Sequence, residues 1–278
     1  MRLISQAAIE QLVTDGFAIQ EVSAEMAELI LATFQAAREF FKQDLEEKMA
    51  NRHIDDWGYR PFGIEYSASS ERPDLIESFS ASFRNRDIVN CLSSDFARKL
   101  YRQMLTAIDA LELLAESLTI HLAETLTQTN MSSVLTGSLR EWSCLQLNHA
   151  YFEAPDGEVI NDLHEDGNLI TLACSTGSGL ELLASDGRTL PITTKCNEVV
   201  VMPGEIMWLL SGGYVRPLYH RVRSQAQEPK RLALLFFGDI DPKLCQAWVP
   251  NGTNANIDIG ARVLANAKRF GLDGFAAE

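Results

Sequence analysis

Three of the five histidines in this chain of 278 residues lie in its second half, and two of them could share one chemical task. His164 is followed two positions later by Asp166, in the pattern H-x-D. On an extended chain, residues two apart point to the same side, so both side chains can face one point. His220 lies in a later apolar segment that predicts a strand. Antiparallel strands folded across a barrel could bring it to the same place.

Two imidazoles and one carboxylate form the ligand set typical of non-haem Fe(II) sites. Three protein ligands leave coordination positions open for an oxidant and O₂, whereas four would close the site, as in structural zinc. H-x-D alone is a weak signal. Taken from these residues only, a surface loop histidine and a turn-forming aspartate before Gly167 fit as well.

Arg231 is the fourth candidate, because it begins the very apolar run Arg231–Phe237. An inward-pointing arginine in such a strand is costly unless it meets an anion. The planar guanidinium matches a carboxylate with two parallel hydrogen bonds. A dicarboxylic co-substrate whose other end chelates a metal would supply that anion. An edge arginine facing solvent beside Lys230 is the alternative.

The overall charge restricts the partners. The chain has 24 Lys and Arg against 38 Asp and Glu, a net charge of -14. Phosphate backbones and anionic membranes repel such a chain, so we expect neither nucleic acid nor membrane as a partner. Five cysteines without a C-x-x-C pattern are typical of reduced thiols in a cytoplasmic protein. Neither a signal peptide nor an apolar run of membrane-spanning length is expected.

Hydrophobic periodicity predicts helices in the first half, over residues 5–14, 23–50 and 94–127. The second half predicts eight short strands separated by turn residues: Trp142–Asn148, Asn168–Ala173, Leu180–Leu183, Leu190–Thr194, Glu198–Met202, Met207–Leu210, Tyr219–Val222 and Leu232–Phe237. No helix-length connections separate these strands, which argues against βαβ units and for an antiparallel sandwich or barrel. H-x-D is expected to open the second of them.

We therefore predict one mainly β domain with flanking helices over residues 1–278. Residues 1–140 form a mainly helical N-terminal portion, residues 141–245 the β core with the metal site, and residues 246–278 a C-terminal tail with one helix.

The segment Leu145–Pro242 resembles the isopenicillin N synthase-like branch of the iron(II)/2-oxoglutarate-dependent oxygenases. The matching stretches are His164–Leu172, Ser185–Ile192, Asn197–Glu205, Tyr219–Val222 and Arg231–Phe237, with Trp57–Gly63 and Arg72–Phe79 upstream. The resemblance implies a double-stranded β-helix, also called a jelly roll. It implies three iron ligands: His164, Asp166 and His220. It also implies that Arg231 holds the distal carboxylate of 2-oxoglutarate, and we expect Asn148 and Tyr151 to contact the same co-substrate.

The implied function is oxidation, foremost hydroxylation, of a C–H bond in a small molecule, with Fe(II), 2-oxoglutarate and O₂ as cofactors and succinate and CO₂ as products. A natural-product or amino-acid-like substrate is the family-level expectation, in a monomer or small homo-oligomer. Two departures stand out: the family's usual serine is Ala233, and its tyrosine is shifted to Tyr151. An iron oxidase of the same fold that uses no 2-oxoglutarate therefore stays open. A non-catalytic ligand-binding β-barrel is the alternative from another class, and a structural protein without Fe(II) affinity is the last.

Five further residues are candidates for contacts with the substrate: Tyr59, Arg60, Phe79, His149 and Trp208. Arg60 could hold an anionic group of the substrate, although a surface ion pair explains it equally well. His149 and Trp208 could instead fill the hydrophobic core.

Overall fold

A computed structural model of the chain describes residues 4–269 apart from 5, 53–56, 70, 151–153, 185–186, 226–229 and 250–255. Its α-helices are α1 (Gln6–Thr14), α2 (Ala24–Phe41), α3 (Leu45–Met49), α4 (Asp95–Thr127), α5 (Ser132–Leu135), α6 (Glu205–Leu210) and α7 (Ile259–Arg269). Its strands are β1 (Ala18–Glu21), β2 (Gly58–Arg60), β3 (Ile76–Ser82), β4 (Cys144–Ala150), β5 (Val159–His164), β6 (Ile170–Ser175), β7 (Leu180–Leu183), β8 (Thr189–Ile192), β9 (Glu198–Pro203), β10 (His220–Arg223) and β11 (Leu232–Gly238). Short 3₁₀ helices cover Arg86–Asn90 and Pro242–Leu244.

The strands form two antiparallel sheets. The large sheet has the order β1-β9-β6-β11-β4-β3-β2 and the small sheet the order β5-β10-β7-β8. Strands distant in sequence are neighbours in both sheets, as in a jelly roll. The predicted fold class, mainly β with flanking helices around a jelly-roll core, is therefore confirmed.

Side chains along the strands of the large sheet alternate between its two faces, and each face packs against a different layer. On β4, Leu145 and Leu147 join the larger hydrophobic core beneath α2 and α4, whereas Gln146 and Asn148 face the space between the sheets. A smaller core there joins residues of both sheets, among them Ile76 and Val222. The large sheet is thus covered on both faces, and the space between the sheets is left for a site.

Several predicted elements differ from the structure. The helix predicted over 23–50 is two helices, α2 and α3, because Asp44 accepts a hydrogen bond from the backbone N–H of Glu47 and starts a new helix. The strand predicted over Met207–Leu210 is wrong, since these residues belong to α6. The N-terminal portion also supplies β1, β2 and β3 to the large sheet.

Strand β5 was not expected from the sequence. Its residues, Val-Ile-Asn-Asp-Leu-His, carry adjacent polar side chains that break the alternation expected of a half-buried strand. Because β5 ends at His164, Asp166 lies in the turn that follows the strand. The expectation that H-x-D opens a strand is therefore wrong.

Candidate metal centre and cavity

Two neighbouring strands of the small sheet bring the predicted metal ligands together. His164 ends β5 and His220 begins β10, and the two residues are paired across the strands. Asp166 follows in the turn, with Oδ1 3.6 Å from Nε2 of His164 and 3.8 Å from Nε2 of His220. One donor atom from each residue lies within 4.8 Å of the others, close enough to hold one metal ion.

Hydrogen bonds orient each of the three side chains. Nδ1 of His164 lies 2.6 Å from the carbonyl oxygen of Asp162, and Nδ1 of His220 lies 3.2 Å from that of Leu218. A carbonyl oxygen only accepts, so both Nδ1 atoms carry the proton and both Nε2 lone pairs are available to a metal. The hydroxyl of Thr171 donates to Oδ2 of Asp166 at 2.6 Å.

The local charges keep the aspartate ionised. Burial raises the pKa of Asp166, but the two histidines outweigh it and hold that pKa well below its usual range. Burial lowers the pKa of His220, which favours its neutral form. For His164, burial also acts to lower the pKa, but Asp166 outweighs it and the pKa is raised. A carboxylate beside imidazoles is a donor set that binds divalent transition metals.

The turn that carries Asp166 is held from two sides. At the start of α6, the N–H of Glu205 donates to the carbonyl oxygen of Asp166 at 2.9 Å. From α7, Nδ2 of Asn266 donates to the carbonyl oxygen of Gly167 at 2.6 Å. The backbone of this turn is therefore held by contacts from elements that follow later in the chain.

Replacing Gly204 by alanine is expected to disturb this turn. An added Cβ would overlap the carbonyl oxygen of Asn168 and lie 2.8 Å from that of Asp166. Both atoms belong to the backbone, so the turn itself must move. We expect a loss of about 1–3 kcal/mol in the free energy of unfolding, typical of overpacking, together with weaker Fe(II) binding. Thermal unfolding and Fe(II) titration measure the two effects. Unchanged Fe(II) affinity would show that the turn tolerates the shift.

A cavity of about 480 Å³ lies between the sheets, and its lining includes His164, Asp166 and His220. Arg231, immediately before β11, is buried and lines the same cavity. Asn148 and Ala233, paired across β4 and β11, line it as well. Tyr151, the other residue predicted to contact the co-substrate, lies outside the described residues.

Three of the residues predicted to contact the substrate face away from the cavity. Tyr59, Phe79 and His149 point to the helical layer, where Phe40 packs against the rings of Tyr59 and Phe79. His149 stacks on Phe41, and its Nδ1 lies 2.8 Å from Oε1 of Glu77. None of the three lines the cavity. Because side chains alternate along a strand, a residue one position away from a cavity residue faces the opposite layer.

The other two candidates, Trp208 and Arg60, differ in their position relative to the cavity. Trp208 lies on α6, where it packs against the larger core and does not line the cavity. Arg60 does line the cavity, from β2, and is buried. Its Nη1 donates to Oε1 of Gln146 at 3.2 Å and lies 3.7 Å from Oε1 of Glu65.

The cavity residues that were not predicted from the sequence include Glu65, Gln146, Asp239 and Asn266. Asp239 could have been chosen as a candidate from the sequence, because it directly follows the apolar strand β11. Its Oδ1 accepts from the N–H of Ile240 at 2.9 Å. Burial raises the pKa of Asp239 to about 8, so this carboxyl is mostly protonated at pH 7.

Replacing Asp239 by asparagine is expected to stabilise the protein increasingly from pH 5 to pH 8. An unfolded aspartate loses its proton near pH 4, whereas the folded protein keeps the proton until about pH 8. The folded state thus binds more protons in this range, and its stability falls as pH rises. Asparagine keeps the acceptor for Ile240 and has no proton to lose. The expected gain reaches a few kcal/mol at pH 8, measured as Tm against pH. Parallel curves for the two proteins would contradict it.

The fold and the site are those that the sequence resemblance predicts. Residues 141–239 match the sequence model of the 2OG-Fe(II) oxygenase superfamily. The chain thus carries a 2OG-Fe(II) oxygenase domain, and the resemblance drawn from its sequence is confirmed at the level of the superfamily. The expected cofactors, Fe(II), 2-oxoglutarate and O₂, are those of this superfamily. No curated protein sequence matches the chain.

Solved structures of low sequence identity share the fold. A full-length Neurospora crassa protein, in complex with alpha-KG, has a TM-score of 0.75 at 18% identity and covers 95% of this chain and 89% of its own. A putative 2OG-Fe(II) oxygenase family protein of Caulobacter crescentus has a TM-score of 0.74 at 19% identity, covering 95% and 93%. The auxin-oxidation dioxygenase AtDAO1 of Arabidopsis thaliana, in its 2-oxoglutarate binary complex, has 0.66 at 21%, covering 86% and 90%. Among the described helices, none has the length and apolarity to cross a membrane.

Proposed function

We propose that this enzyme oxidises a C–H bond of a small molecule with 2-oxoglutarate as co-substrate, hydroxylating it and releasing succinate and CO₂. The observation that carries the proposal is the His-Asp-His group at the wall of a cavity that also contains a buried arginine. The structures of the Neurospora crassa protein and AtDAO1, with alpha-KG or 2-oxoglutarate bound, are consistent with it.

His164, Asp166 and His220 are the proposed Fe(II) ligands. Two nitrogens and one oxygen suit this metal, and three protein donors leave room for co-substrate and O₂. When bound, the metal supplies activation of O₂ for attack on a C–H bond. The protein holds the donors in place: Thr171 fixes the carboxylate of Asp166, and backbone carbonyls fix the two imidazoles.

Arg231 is the proposed anchor for the distal carboxylate of 2-oxoglutarate, and Asn148 a second contact. Burial strengthens a pairing between guanidinium and carboxylate, because neither group is then screened by water. Gln146 orients the Asn148 amide: its Nε2 donates to Oδ1 of Asn148 at 2.8 Å. The amide nitrogen of Asn148 can then donate to a ligand.

The oxidase without 2-oxoglutarate is the second candidate, and Ala233 is the observation that favours it. This residue lines the cavity where the resembled family has a serine hydroxyl. Loss of one such hydrogen bond weakens binding by about 1 kcal/mol. That is small beside a buried arginine–carboxylate pair, so the first proposal is preferred.

Anaerobic addition of Fe(II) and then 2-oxoglutarate tests the choice. We expect a visible charge-transfer band when the keto acid binds the metal, and succinate once air is admitted. Iron binding without this band, combined with substrate oxidation that needs no 2-oxoglutarate, would establish the oxidase instead. Ligand binding without any oxidation would point to a binding protein.

A further inference from the structure

One wall of the cavity is a polar surface formed by two side chains of the large sheet and one from a loop. It consists of Arg60 from β2, Glu65 from the following loop, and Gln146 from β4, and is called the polar wall below. Gln146 bridges the other two, since its Oε1 accepts from Arg60 and its Nε2 donates to Oε2 of Glu65 at 2.8 Å. The hydroxyl of Ser78 on β3 also donates to Glu65. The polar wall is therefore held in one arrangement by its own hydrogen bonds.

The polar wall lies across the cavity from the proposed iron ligands. Its strands belong to the large sheet, whereas His164 and His220 lie on the small sheet. Both sets of side chains line the same cavity. A small molecule held against the polar wall would therefore have its opposite side towards the metal.

The charges around the cavity disfavour the binding of an anionic substrate. The described lining residues include three cations: Arg60, Arg231 and Arg262. Arg262 forms an ion pair with Glu205 at 2.8 Å, and Arg231 is the proposed partner of 2-oxoglutarate. Arg60 stands beside Glu65, whose carboxylate would repel a second anion. A positively charged substrate would in turn be repelled by Arg60.

A neutral group with an acceptor next to a donor fits this pair. The guanidinium has five N–H groups, so Arg60 can bond to Gln146 and to a ligand carbonyl at the same time. The carboxylate of Glu65, 3.7 Å from Nη1 of Arg60, can accept from a ligand N–H. Carbonyl and N–H groups at adjacent atoms occur in amides, lactams and ureides.

We propose that the polar wall recognises an uncharged amide-type group of the substrate, with Arg60 donating to its carbonyl oxygen and Glu65 accepting from its N–H. The inference rests on the proposed function, since it takes this cavity to be the substrate site. Asp239, which burial keeps mostly protonated, adds little negative charge to the same cavity.

Binding of three small probes to the metal-free protein tests the proposal. The probes are 2-piperidone, cyclopentanecarboxylate and piperidinium, which have similar size and differ in charge. Saturation-transfer NMR titration measures each affinity in wild type, Glu65→Gln, Arg60→Gln and the exposed control Glu71→Gln. Because Arg231 can hold a carboxylate independently of the polar wall, each probe is compared between proteins.

We expect 2-piperidone to bind the wild type and to bind about tenfold more weakly to both wall variants, since each loses a charged hydrogen-bond partner. Cyclopentanecarboxylate should gain affinity in Glu65→Gln, where Arg60 is no longer neutralised. Glu71→Gln should match wild type for all probes. Absence of 2-piperidone binding, or equal lactam affinity in wild type and both wall variants, overturns the proposal. These measurements need no metal or turnover, so they can fail while succinate formation succeeds, and the reverse.

Discussion

The Asp166→Ala variant is expected to lose Fe(II)-dependent succinate formation and to bind Fe(II) more than about 100-fold more weakly than wild type. Loss of outer-shell partners alone lowers metal affinity by about 10–100-fold, and the variant removes the only carboxylate in the His-Asp-His group. Anaerobic Fe(II) titration and succinate quantification measure the two effects.

Asp162→Asn is the matched control. Asp162 is an aspartate on β5, four residues before Asp166. Its side chain pairs with Arg72, and its carbonyl oxygen faces His164. Asparagine keeps that carbonyl, so Fe(II) affinity should stay near the wild-type value. If Asp166→Ala binds Fe(II) within about tenfold of wild type, the assignment of Asp166 as a ligand is wrong.

Replacing Arg231 by glutamine is expected to weaken 2-oxoglutarate binding by about 100-fold. Removal of one partner from a buried charge pair costs about 2–5 kcal/mol, and Arg231 is buried at the cavity wall. The readout is the 2-oxoglutarate concentration that half-saturates the charge-transfer band, with Fe(II) affinity measured separately and expected to be unchanged.

Two comparison variants sharpen this result. Arg231→Lys keeps the charge but not the planar fork, so it should recover part of the affinity. Arg223→Gln removes an arginine that pairs with Glu181 and does not line the cavity, and it should behave as wild type. Unaltered 2-oxoglutarate affinity in Arg231→Gln would assign the anchoring role elsewhere and strengthen the case for the oxidase.

The sequence predicted the parts of the candidate site that depend on close spacing along the chain or on a charge at the head of an apolar run. His164 and Asp166 stand two apart, and Arg231 introduces β11, so their shared region could be foreseen. The long helix over 94–127 was foreseen from its apolar stripe, and α4 confirms it. In each case the sequence signal comes from residues that are close together in the chain.

The parts that failed depend on which layer covers which face of a sheet. β3 alternates serines with Phe79, and the aromatic side chain was the one expected to contact the substrate. In the structure Phe79 packs in the helical layer, and the small Ser80 lines the cavity. Arg60, Glu65 and Gln146 come from different elements, so only the tertiary structure shows that they meet. Met207–Leu210 is too short an apolar run for its helical period to be recognised.

The order of strands in the large sheet also has a consequence for how the protein forms during translation. β1, the first strand of the described residues, pairs with β9, which lies about 180 residues later in the chain. At typical ribosomal speeds that gap corresponds to roughly 10–40 seconds. During this interval the nascent chain has β1 and its apolar neighbours without their partner strand. The first 140 residues therefore cannot fold to completion by themselves, and the ribosome must deliver the catalytic half before the N-terminal half is finished.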